Sequence, residues 1–210
     1  MKREKEFCFL ISPLTFHFSP SLLTIHYSLF IMTDTQLLEQ FRSEHTKEAG
    51  FTAIIKKYQE KLYWHIRRMV VDHDDANDVM QNVFIKVWNG LSNFREDARL
   101  YTWLYRIATN ESLSFIEQRK KKGSVSFGDY EEGLSNTLKA DKDFDAAKLE
   151  WKLQLAIQQL PEKQRLVFNL RYYDEMPYSE ISQILDTSEG ALKASYHHAV
   201  KKIEDFILNH

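Results

Sequence analysis

Three stretches carry residue types and spacings that could do chemistry. Asp74-Asp-Ala-Asn-Asp78 places three carboxylates in a DDxxD pattern, which can gather Mg²⁺ on one helix face in all-α enzymes that act on isoprenyl diphosphates. That chemistry needs a second acidic cluster facing the first across a large apolar cavity, and no comparable cluster stands on a helix elsewhere. Residues 99–122 carry Arg99, Arg106, Arg119, Lys120, Lys121 and Lys122 against Glu111 and Glu117, six cations minus two anions for a net +4. Phe94, Tyr101, Trp103 and Tyr105 are interleaved with them. Cations that track a backbone, with aromatic faces for stacking, suit single-stranded nucleic acid. The plainer alternative puts Trp103 in a core and Lys120–Lys122 at a solvated helix end, where the helix dipole favours cations. Near the C-terminus, Lys193, Ala194, Ser195, His197, His198, Lys201 and Lys202 line one side of a predicted helix. Lys193, Lys201 and Lys202 could reach phosphates, and His197 and Ser195 could reach base edges. A solvated face of a helical pair is the competing reading. No Gly-rich phosphate loop, His/Cys metal pattern or nucleophile signature stands out.

Composition limits what can position these groups. The chain has 210 residues and a net charge of −2, enough for one or two domains with a buried core. Hydrophobic residues at 43% and charged residues at 28% describe an ordinary globular chain. Six Gly and four Pro leave few turn formers for a β-sandwich, and no convincing period-two strand is present. A single Cys excludes an intrachain disulfide framework and a Cys-cluster zinc site, and it fits a reducing cytoplasm. With 28 basic against 30 acidic residues, any nucleic-acid signature must be local.

The first 31 residues differ from the rest. Lys2, Arg3 and Lys5 precede an uncharged run from Phe7 to Ile31, as in a signal peptide or membrane anchor. Pro13 and Pro20 interrupt the run, His17 and His26 dilute it, and Leu14-Thr-Phe-His-Phe-Ser19 is echoed by Leu23-Thr-Ile-His-Tyr-Ser28. Residues 1–31 are therefore read as a non-native or disordered N-terminal extension, with Met32 as the expected start.

The remainder reads as two helical blocks. In residues 41–122, one helix is marked by Phe51, Ile54, Ile55, Tyr58, Leu62 and Ile66. A second is marked by Val79, Met80, Val83, Phe84, Val87 and Trp88, with Asp72, Asp74 and Asp75 at its N-terminus and Gly90 as its expected C-cap. A third spans about 100–121, with Leu100, Trp103, Leu104, Ile107, Ala108 and Ile116 facing inward. Residues 123–147 lose the apolar spacing and gain an acidic excess, which predicts a flexible linker. In residues 148–210, a helix ending at Pro161 is followed by another through Leu166, Val167, Leu170 and Tyr173. Tyr178–Leu185, the Asp186-Thr-Ser188 turn and a last helix through Leu192, Tyr196, Ala199 and Ile203 have helix-turn-helix form. The expected fold is all-α: two small helical domains joined by the acidic linker.

Together these residues resemble the sigma-70 family of bacterial transcription initiation factors, in particular its small extracytoplasmic-function (ECF) group. Asp75-Ala-Asn-Asp-Val-Met-Gln-Asn-Val-Phe-Ile-Lys-Val-Trp88 is similar to the family's D-A-x-D-x-x-Q-x-x-F-x-x-x-W helix. Phe94-Arg95 and Tyr101-Thr-Trp-Leu-Tyr-Arg-Ile-Ala-Thr-Asn110 are similar to its promoter-melting segment. Leu160-Pro-Glu-Lys-Gln-Arg165 and Ser188-Glu-Gly-Ala-Leu-Lys193 are similar to the second domain's entry and recognition helix.

The resemblance implies a division of labour. Residues 41–122 would form the region 2 domain, in which Asp78, Gln81 and Asn82 face the β′ clamp helices of core RNA polymerase. Phe94, Arg95, Asp97, Arg106, Asn110, Ser114 and Lys120 would open and hold the −10 element. Residues 148–210 would form the region 4 domain, reading the −35 element through Ser188, Lys193, Ala194, His197, His198 and Lys201 and touching the β flap. The linker would thread toward the RNA exit path. An anti-sigma factor would be a further partner. The family requires no cofactor, metal or small-molecule substrate, and its members act without catalysis in the cytoplasm. Asn82 stands where the family usually has an acid, and Ser114 stands where an Asn is common, which bears on the choice of −10 base. Ser195, His198 and Val200 stand where basic residues are common in the recognition helix, which implies weaker phosphate anchoring and a shallower salt dependence at the −35 element. The alternative is a helix-turn-helix regulator that binds DNA without core polymerase.

Overall fold

The computed structural model describes residues 32–121 and 146–209. The readings of residues 1–31 as an extension and of 123–145 as a linker lie outside the described residues, and Ala146 and Ala147 already belong to a helix. The described residues form eight helices and no strand: α1 (Asp34–Arg42), α2 (Lys47–Val70), α3 (His73–Leu91), α4 (Leu100–Lys121), α5 (Ala146–Gln159), α6 (Glu162–Tyr172), α7 (Tyr178–Leu185) and α8 (Glu189–Asn209). The all-α expectation holds. The chain divides into two compact units, the first ending at Glu60 and the second beginning at Lys61.

In the first unit, α1 is an element the apolar periodicity did not announce. It begins with a capping box: the Thr33 side chain accepts from the Gln36 amide, and the Gln36 side chain accepts from the Thr33 amide. Leu37, Leu38 and Phe41 are buried, as are Phe51, Ile54 and Tyr58 of α2, and the Phe41 and Phe51 rings lie 6.3 Å apart. Asp34 receives hydrogen bonds from Lys57 Nζ at 2.7 Å and from the Tyr58 hydroxyl at 2.5 Å.

In the second unit, α3 starts where Asp72 accepts from the amides of Asp74 and Asp75 at 2.9 and 3.0 Å. These bonds, that from Asp75 foremost, hold the Asp72 carboxyl below its ordinary value. Ala76, Val79, Met80, Val83, Phe84 and Val87 then give α3 a continuous buried stripe against α4. Gly90 is not the C-cap: α3 continues to Leu91 and is capped by Ser92. Gly90 instead clears space for an aromatic ring, because a Cβ there would lie 3.1 Å from the Trp103 ring. Ala156, Ile157, Leu160, Phe168, Ala199 and Ile203 make a second cluster, in which α8 packs on α5 and α6. The turn between α7 and α8 is closed by Asp186 in the left-handed region (φ 49°).

Candidate functional site

Three helix faces carry the residues singled out in the sequence. On α3 the apolar stripe faces α4, so the opposite face meets solvent. Asp78, Gln81 and Asn82 are exposed there. Ile85 follows at the spacing i, i+3, i+4, i+7 and is 43% exposed. Sequence reading missed Ile85, although that spacing from Asp78 is itself the signal. An apolar side chain set among polar neighbours suits the centre of a protein-binding patch.

On α4, Arg106, Asn110 and Ser114 are all exposed at spacing i, i+4, i+8, which makes one polar stripe. Arg95 and Asp97 are exposed in the loop before it, where Glu96 takes a positive φ of 63°. Phe94 departs from its expected role as a loop side chain open to a nucleic acid. It is buried, with its ring 5.1 Å from that of Trp103. Of the aromatics read as stacking surfaces, Tyr105 is also buried, at 1% exposure, and its ring lies 4.4 Å from that of Tyr101. Burial pushes the Tyr101 phenol up to about 12 and raises Tyr105 further. Both phenols are therefore protonated donors at neutral pH. The periodicity of α4 also hid a second buried stripe of Thr102, Thr109 and Ser112. Polar types in a helix pattern read as surface until a partner covers them.

The basic end of α4 is tied down. Arg119 pairs with Asp75 at the start of α3, and Lys120 pairs with Glu162 at the start of α6. Burial raises the Asp75 carboxyl, and Arg119 opposes that rise. Lys86 of α3 pairs with Glu111 of α4, which fastens the two helices on their outer edge.

On α8, Leu192, Ala199 and Ile203 are buried, which turns Lys193, Ala194, His197, His198 and Lys201 outward together. Ser188 is exposed at the mouth of the turn; its hydroxyl accepts from the Ala191 amide at 3.4 Å and its carbonyl from the Leu192 amide at 3.0 Å. Lys193 stands 3.7 Å from Glu189 and 5.6 Å from the centre of the Tyr178 ring. Two helices at a tight turn, the second exposing a mixed polar and basic face, can enter a DNA groove. Among the described residues, no group of three or more His, Cys, Asp or Glu is placed to hold a metal ion. No described helix is long and apolar enough to cross a membrane.

Comparison with known proteins matches two segments of the chain to family descriptions. The family described as Sigma-70 region 2 matches residues 54–122, and Sigma-70, region 4 matches residues 150–203. The RNA polymerase sigma-H factor of Pseudomonas aeruginosa is 30% identical over 179 residues, covering 81% of this chain and 92% of that protein. The chain belongs to the sigma-70 family. The ECF RNA polymerase sigma-E factor of Escherichia coli is 29% identical over 182 residues, covering 83% of this chain and 94% of that protein. The fold is similar to that of CnrH in complex with the cytosolic domain of CnrY, with a TM-score of 0.61 at 20% identity over 83% of this chain and 96% of that one. It is also similar to the sigma factor RpoE in complex with the anti-sigma factor NepR from Bartonella quintana, with a TM-score of 0.57 at 19% identity, over 75% of this chain and 96% of that one. The chain is thus a sigma factor of the ECF group, a transcription initiation factor that works with core RNA polymerase on promoter DNA; it is not a free-standing helix-turn-helix regulator.

Proposed function

We propose that this sigma factor divides its work among the three exposed faces. The α3 face, Asp78, Gln81 and Asn82 with Ile85 among them, docks on the β′ clamp helices of core polymerase. Arg95, Asp97, Arg106, Asn110, Ser114 and Lys120 handle the opened −10 element, and Phe94 props the loop from beneath. Ser188, Lys193, Ala194, His197, His198 and Lys201 read the −35 duplex, and the same domain reaches the β flap. Residues 41–122 and 148–210 act as the two functional domains, with 123–147 linking them.

The observation that carries the reading is the common exposure of Asp78, Gln81, Asn82 and Ile85 on one stripe of α3, beside a helix whose own polar stripe is Arg106, Asn110 and Ser114. Melting requires unpaired bases to be captured, and capture offsets the loss of stacking. Two weak readers joined through the polymerase gain effective concentration without either binding DNA tightly alone. The protein makes and breaks no bond itself, acts in the cytoplasm and is held in check by an anti-sigma factor.

In vitro transcription over genomic fragments, with core polymerase and residues 32–210, tests this. Discrete RNA 5′ ends sharing an upstream pair of elements are expected. Absence of both transcripts and co-elution with core would overturn it.

A further inference from the structure

Gly90 stands in the last turn of α3, in helical backbone, so nothing in its main chain asks for a glycine. An alanine would favour the helix at that point. What the missing side chain leaves is room for one neighbour. A Cβ at Gly90 would lie 3.1 Å from Cζ2 and 3.4 Å from Cη2 of Trp103, and beyond α3 itself it would meet nothing else within 4 Å among the described residues. Both atoms belong to the six-membered ring of the indole.

Trp103 is half-buried in the first turn of α4, where its amide donates to the Arg99 carbonyl at 3.1 Å. Its ring lies 5.1 Å from that of the buried Phe94, tilted by 44°. The main chain joins the same residues by a second route. The Gly90 carbonyl accepts from the Ser92 amide and from the Asn93 amide, the latter at 3.0 Å. The Leu91 carbonyl accepts from the Phe94 amide at 3.2 Å. Gly90, Trp103 and Phe94 thus close a circuit at the root of the loop. Arg95, Glu96 and Asp97 follow Phe94 directly and are exposed, and Glu96 turns the chain at its φ of 63°. On the other side, Trp103 precedes Arg106 by three positions and Asn110 by seven, which puts it at the head of the polar stripe of α4. Close-packed groups pass a displacement on to their neighbours.

We infer that Gly90 is a positioning residue for promoter opening. The space it leaves seats the Trp103 ring, and that ring sets the height of Phe94, and so of residues 95–97, relative to Arg106, Asn110 and Ser114. This role rests on the proposed handling of the −10 element by the loop and α4. Gly90 acts through the loop, whose exposed residues must be held in place if they are to capture an unpaired base. A residue that served only the fold would move stability and opening in the same direction. Gly90→Ala moves them apart: the helix gains and the loop is displaced.

The test compares the full chain with Gly90→Ala, with Trp103→Phe and with the double variant. Trp103→Phe removes the ring atoms that an added Cβ would touch. Each protein is assembled with core polymerase on a genomic fragment that mapping of RNA 5′ ends has shown to carry a start. Permanganate reactivity of unpaired thymines reports opening. Amide chemical shifts of residues 94–97 in the isotope-labelled free protein report the loop. Gly90→Ala is expected to keep parental helicity, to melt no lower than the parent and to co-elute with core as the parent does. Opening is expected to fall about threefold or more, with the 94–97 amides shifted. In the Trp103→Phe background the same substitution is expected to change neither opening nor the amides. Parental opening by Gly90→Ala, reduced opening without a loop shift, or an undiminished effect in the Trp103→Phe background would each overturn the role. If Gly90→Ala loses helical circular dichroism, the double variant set against Trp103→Phe alone decides, and unequal opening overturns it. A parent that co-elutes with core but opens no promoter refutes the −10 reading, while the amide shifts still decide whether Gly90 sets the loop.

Discussion

Gly50 of α2 lies against the backbone of α1, so close that a Cβ on it would sit 2.6 Å from the amide nitrogen of Phe41. The obstacle is main chain, which cannot swing aside as a side-chain tip would. The Gly50 amide itself is engaged in the first turn of α2, donating to the Thr46 carbonyl at 2.8 Å. Gly50→Ala would gain helix propensity, but forced separation of two packed helices outweighs it. A net destabilisation of about 2 kcal/mol is expected. Urea unfolding would show it as a lower midpoint at unchanged slope; a midpoint equal to or above that of the parent would show that α1 can shift freely.

Asp72 gives a pH-dependent counterpart. Removing the cap in Asp72→Ala is expected to destabilise by about 1 kcal/mol at neutral pH. The folded carboxyl titrates below the ordinary 3.8. Its contribution is therefore fully present above that value and is lost as pH falls through the lower folded value. The gap between parent and variant should stay constant from neutral pH down to moderately acidic pH and shrink below about 4. A gap that widens on acidification would contradict the capping geometry.

The α3 face separates binding from folding. Gln81 and Ile85 are exposed, so Gln81→Ala and Ile85→Asp should retain parental helicity and melting temperature. Each should weaken co-elution with core polymerase about tenfold or more, since truncation at the centre of a patch removes most of its binding energy. Parental affinity in both variants would move the docking surface off α3.

The α8 face separates position from sequence. Lys201→Ala should weaken binding to every duplex alike and reduce the slope of log affinity against log salt by about one. His197→Ala should leave that slope unchanged and weaken the preferred duplex most. Identical effects of the two variants would indicate that neither residue reaches a base.

The sequence by itself determined most of the helices, the two apolar clusters and the outward direction of the three faces. Val79, Val83 and Val87 already place Asp78, Gln81 and Asn82 opposite them, because a helix repeats every 3.6 residues and its two faces are decided locally. The same logic exposes His197 and Lys201 once Leu192, Ala199 and Ile203 are buried. The family was legible because several motifs stand in one order. What the tertiary structure alone decided is what covers a polar residue. Phe94 and Tyr105 were read as open aromatics and are buried. Gly90 was read as a cap and instead gives room to Trp103. Thr102, Thr109 and Ser112 look like surface in any local pattern, and His65 and Asp174 are 109 positions apart along the chain. No periodicity links residues at that distance. Their pairing depends on which turn meets which helix, and that is settled only when the blocks pack.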